Sequence, residues 1–134
     1  MPIQWTNNLS IGIEKIDAQH KELFNRINNL LDAMSQGKGK EEVGKVFDFL
    51  EDYIRGLFTT EEKYMTQFNY PDYSHHVKQH IEFIKKFDDL KIIFKTATAG
   101  INVMISTNSL FGDWWRNHIN KVDKDLGIFL KPKI

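Results

Sequence analysis

The sequence predicts an all-α fold: an antiparallel up-down four-helix bundle preceded by an extended N-terminal arm. Three observations carry this. Apolar residues recur at spacings of three and four through four long segments, the period of helices with one buried face. No stretch shows the strict alternation of a half-buried strand. The breaks between segments are short and rich in Gly or Pro, which favours antiparallel neighbours. A chain of 134 residues suits one domain, 1–134, around one core.

The arm is "IQWTNNLSIGIEK". The first helix is predicted from about Asp17 to Met34, with Leu23, Phe24, Ile27, Leu30, Leu31 and Met34 facing inward. Gly37 and Gly39 in "SQGKGK" are its stop signals. The second runs from about Lys40 to Met65 and buries Val43, Val46, Phe47, Leu50, Ile54, Leu57, Phe58 and Met65. In "FNYPDY", Pro71 disfavours helix at Tyr70, and Asp72 or Pro71 opens the third helix. That helix turns Val77, Phe83, Ile84, Phe87, Leu90 and Phe94 inward, and Gly100 in "TATAG" is its predicted left-handed cap. The fourth covers about Val103 to Leu126, with Leu110, Phe111, Trp114, Ile119 and Val122 inside.

Composition removes several function classes. Lys+Arg and Asp+Glu are both 18, so no net field attracts nucleic acid or an anionic membrane. Cysteine is absent, which excludes disulfides, thiolate zinc and cysteine-held iron–sulfur clusters. No secretory signal pattern and no long apolar run is present, so the expected location is the cytoplasm.

Polar residues interrupt the apolar faces. His20 lies three before Leu23 on the first helix. His76 and His80 are four apart, one above the other on the face that continues into Phe83 and Phe87. His118 follows Trp114 by four. One histidine on an apolar face is ordinarily a hydrogen-bonded core residue. Four of five, on three helices, with Glu61 and Asp123 on the other inward positions, form a set that is costly to bury unless paired or bound to metal. Imidazoles and carboxylates without thiolate suit iron, manganese or zinc. His118 and Asp123 are five apart, about 140° on a regular helix. A π-type bulge, or convergence from the flanks, is needed to aim both at one point.

The segments "IDAQHKELF", "FTTEEKYM", "YPDYSHHVKQH" and "WWRNHINKVDKDL" make the chain similar to the hemerythrin family, in particular its bacterial single-domain members. The resemblance implies a four-helix bundle around a non-haem di-iron centre with an oxo or hydroxo bridge. It implies that His76, His80 and His118 hold one iron, that His20 belongs to the second, and that Glu61 and Asp123 bridge them. Leu23, Phe58, Trp114 and Ile119 are implied to line the cavity on the oxygen side, with Trp115 as added bulk at a helix interface. The implied partners are dioxygen, peroxide or small anions, on a monomer. The family pattern carries a His four before the bridging Glu; here that place is Leu57 in "LFTTE". His75 and Glu62, each one position off the inner face, are expected to point away, leaving water as the filler. The expected function is an oxygen-binding iron protein with an altered second iron site. The alternative is a redox-active iron site with peroxidase- or oxidase-like chemistry.

Overall fold

The computed structural model describes residues 3–37, 40–96 and 101–134. Four helices form the bundle: α1 (Glu14–Ser35), α2 (Lys40–Gln67), α3 (Tyr73–Thr96) and α4, a continuous helix over 101–130. No strand occurs among the described residues. Phe24, Ile27 and Leu30 of α1, Phe47, Leu50 and Ile54 of α2, Phe83 and Phe87 of α3, and Phe111 and Trp115 of α4 are all buried. Phe83 sits at the hub, with ring centroids 5.8 Å from Phe111, 6.0 Å from Phe58 and 5.3 Å from Trp115. Gly39 and Gly100, predicted as helix stops, lie outside the described residues.

The arm is tied down at both ends, which explains why α1 begins at Glu14 rather than at Asp17. The Asp17 carboxylate accepts hydrogen bonds from Ser10 Oγ at 2.5 Å and from the Ile11 amide at 2.9 Å. Asp17 therefore lies within the first turn and holds the approaching chain. At the far end, Asn28 exchanges two 2.8 Å hydrogen bonds with the backbone of Ile3. Ile3, Leu9, Ile11 and Ile13 of the arm are buried. The arm crosses α4 at Gly127, where a Cβ would stand 2.1 Å from the Ile11 carbonyl oxygen.

The helix ends follow local chemistry. α1 stops at Gly37, which has φ 69°. After α2, Asn69 takes φ 54°, and the Tyr70 amide donates to Met65 O at 2.9 Å. Asn tolerates this left-handed conformation, and the bond satisfies a free carbonyl of the last turn. The His76 amide donates to Asp72 O at 3.0 Å, which starts α3.

α4 departs from the expectation. It runs to Leu130, and two stretches, Leu110–Trp114 and His118–Asp123, are π-helical. A π turn bonds i to i+5 and so fits an extra residue. From Phe111, that extra residue hands the inner position to Trp115, which is fully buried. Trp114 is half-buried, contrary to the inward position that regular counting gave it.

Candidate metal centre

Every helix delivers a donor to the middle of the bundle. α1 brings His20, α2 Glu61, α3 His76 and His80, and α4 His118 and Asp123, all buried. Glu61, His76, His80, His118 and Asp123 each offer a ligand atom, and these atoms lie within 4.8 Å of one another. The second π segment begins at His118 and ends at Asp123, which brings residues five apart onto one side of α4.

The carboxylates divide the centre in two. Glu61 Oε1 lies 3.0 Å from His76 Nε2 and 3.1 Å from His80 Nε2. Asp123 Oδ1 lies 3.0 Å from His76 Nε2 and 3.1 Å from His118 Nε2. Their other oxygens, Glu61 Oε2 and Asp123 Oδ2, are each 3.3 Å from His20 Nε2. One oxygen of each carboxylate therefore serves the three-histidine side, and the other serves His20.

The contacts to Asp123 are short but not aligned as hydrogen bonds, and both Asp123 oxygens and His118 Nε2 are buried without a hydrogen-bond partner. Such groups aim past each other at shared points, as metal ligands do. The electrostatics agree. Burial works against a charged His20, but contacts with Asp123 and Glu61 outweigh it and raise its pKa to about 9. His76 is raised to about 9 by the same opposition, burial against Asp123 and Glu61. Burial and the Asp123 charge push Glu61 up, yet hydrogen bonds from His20, His76 and His80 bring it down to about 2. Asp123 is likewise held well below the usual carboxylate range, its burial overcome by His118 and then by His20 and His76. Protons do here what a cation would do, and a metal that binds must displace them.

Two residues outside the predicted set orient the imidazoles. His80 Nδ1 is 2.8 Å from Glu62 Oε2, and His118 Nδ1 is 2.8 Å from Gln79 Oε1. Gln79 Oε1 can only accept, so the His118 proton sits on Nδ1 and the Nε2 lone pair faces the centre. The signal for both was their place: each adjoins a donor on its own helix and faces a donor of the next. Glu62 does turn away from Glu61, but toward the back of His80 rather than into solvent alone. His75 is exposed and brings no donor to the centre; its Nε2 lies 3.4 Å from the amide nitrogen of Gln79.

A family profile described as the Hemerythrin HHE cation binding domain matches residues 11–127. The chain belongs to the hemerythrin family. It is 36% identical to a bacteriohemerythrin of Methylococcus capsulatus over 111 residues, 83% of this chain and 82% of that one. A myohemerythrin of Theromyzon tessulatum is 29% identical over 122 residues, 91% of this chain and 88% of that one. A crystal structure of wild-type hemerythrin superimposes with a TM-score of 0.86 at 32% identity, covering 98% of this chain and 99% of the other.

The hemerythrin-like centre has an apolar surround. Leu23, Leu57, Phe58, Trp115 and Ile119 are buried. Phe58 stacks on His80 at 3.8 Å and 10°, and on Trp115 at 5.5 Å and 24°. Trp114 instead stacks on His118 at 4.5 Å and 12°, with part of its surface open to solvent. Leu57, one turn before Glu61, offers no donor. The donor set, all nitrogen and oxygen, fits a divalent transition metal on the three-histidine side. On the other side His20 is joined by the far oxygens of Glu61 and Asp123.

Proposed function

We propose that this protein is a non-haem iron protein that binds dioxygen, or peroxide or a small anion in its place, at a two-position centre whose second position is weakened at Leu57. The observation that carries this reading is the split of each carboxylate between His20 and the three-histidine side. Iron, when bound, supplies the electrons and the open coordination for an oxygen ligand. His76, His80 and His118 would hold the first metal through Nε2, His20 would serve the second, and the carboxylates of Glu61 and Asp123 would serve both. Glu62 and Gln79 fix the protons on Nδ1 of His80 and His118. Leu23, Phe58, Trp115 and Ile119 keep water from the ligand, because water and protons speed irreversible oxidation. The protein is expected to act as a monomer in the cytoplasm; no described helix is long and apolar enough to cross a membrane.

The test is to load the protein with ferrous iron under anaerobic conditions, mix it with oxygen and follow the visible spectrum. A new band that disappears under vacuum supports oxygen binding. Failure to retain iron through dialysis, or a spectrum indifferent to oxygen, would sink the reading. Leu57 favours a second outcome. With one imidazole on the His20 side, the oxygen adduct should decay quickly to ferric iron, and the site should consume peroxide.

A further inference from the structure

We propose that the indole N–H of Trp115 donates a hydrogen bond to the small anionic ligand held on the His20 side of the centre. The inference rests on the proposed reading of this cluster as an iron site. Trp115 is fully buried, and its Nε1 has no hydrogen-bond partner among the described residues. No described acceptor on the protein pairs with it. Glu61 is taken by His20, His76 and His80. Neither oxygen of Asp123 accepts a hydrogen bond from any described group.

The ring's position makes the orphan donor informative. Its centroid lies 6.3 Å from that of His20, edge to face, and 5.9 Å from that of His118. Phe58 stacks on it at 5.5 Å while covering His80 at 3.8 Å. The indole thus lies between the aromatic hub and two donors of the centre, His20 and His118. A phenylalanine in its place would make the same ring contacts to Phe58 and Phe83 without burying an unpaired donor, which is costly. An acceptor that arrives with a ligand removes the cost. The acceptor is a compact anion such as azide, or reduced dioxygen, because the centre is buried and the buried side chains of Leu23, Leu57 and Ile119 are apolar. A hydrogen bond to a charged acceptor in such a site is among the stronger ones.

The experiment uses iron-loaded, oxidised full-length protein titrated with azide. Ultraviolet resonance Raman reads the indole band that responds to N–H hydrogen bonding. The difference between wild type and Trp115→Phe isolates Trp115 from Trp5 and Trp114. Azide is expected to move the Trp115 band to the hydrogen-bonded position. Trp115→Phe is expected to bind azide about tenfold more weakly while keeping the azide-to-iron absorption band. Azide binding with the Trp115 band unmoved, or with equal affinity in both proteins, overturns the proposal while leaving the iron reading intact. If azide produces no absorption band in wild type, the iron reading fails and this inference falls with it. Should Trp115→Phe not fold, the Trp band with and without azide is read in a Trp5→Phe, Trp114→Phe variant, where Trp115 is the remaining indole.

Discussion

His80 and Leu57 occupy neighbouring helices and differ in what they bring to Glu61. His80 Nε2 lies 3.1 Å from Glu61 Oε1 and is braced by Glu62, whereas Leu57 contributes only packing. We predict that His80→Ala loses iron at least roughly tenfold more readily than wild type on dialysis. Leu57→Ala should keep the iron of the three-histidine side and instead lose about 2–5 kcal/mol of stability as a core truncation. Iron counts per chain check both, and equal loss in the two variants would reverse the assignment. Leu57→His places an imidazole one turn from Glu61, on the same face. That variant is expected to bind a second iron more tightly and to hold an oxygen adduct longer than the present chain. An adduct equally long-lived in both proteins would show that Leu57 is not the decisive residue. At this scale the sequence was informative because a histidine or carboxylate on an apolar face is conspicuous. Trp115 and Gln79 were harder to read: one is apolar enough to pass as packing, the other looks like an ordinary surface amide.

The elements were legible wherever the helical period was regular. α1, α2 and α3 bury nearly the faces that three-and-four spacing selects. α4 was misread at Trp114 because a π turn adds a residue, and counting at 3.6 cannot register it. Only the five-residue step from His118 to Asp123 hinted at the second π segment. The arm was seen as extended, but its docking depends on a contact that no pattern records, the passage of the Ile11 carbonyl over Gly127. Gly127→Ala should force the arm outward and cost about 1–3 kcal/mol, as overpacking does. Gly44→Ala, where a Cβ meets nothing within 4 Å, should be neutral or stabilise α2 by about 0.5–1 kcal/mol. Urea unfolding midpoints of the two variants make the comparison. A Gly127→Ala midpoint at or above wild type would mean the arm does not need this passage.

On the scale of the whole molecule, six buried ionisable residues join four helices, and their protonation governs the stability of the metal-free form. His20 and His76 are raised from 6.5 to about 9, so their contribution is complete below about 6.5 and is lost as pH rises through 9. Glu61 is lowered from 4.5 to about 2, so its contribution is complete above 4.5 and is lost as pH falls through 2. The metal-free protein should therefore melt highest between about pH 4.5 and 6.5 and fall steeply toward pH 9. The iron-bound protein should melt higher, by a margin that widens from pH 6 to 9, because metal replaces the protons. Calorimetry across this range checks it; a margin that narrows with rising pH would contradict the exchange. The divided carboxylates also have a consequence in plain charge balance. With all imidazoles neutral, Glu61 and Asp123 bring two negative charges into a dry interior. A single divalent cation cancels them. A second leaves a positive excess that a buried site does not tolerate without a further anion, whether a hydroxide from water or an added one. Filling the His20 side and admitting an anion are then one event seen from two directions, and added azide should raise the iron count at limiting iron.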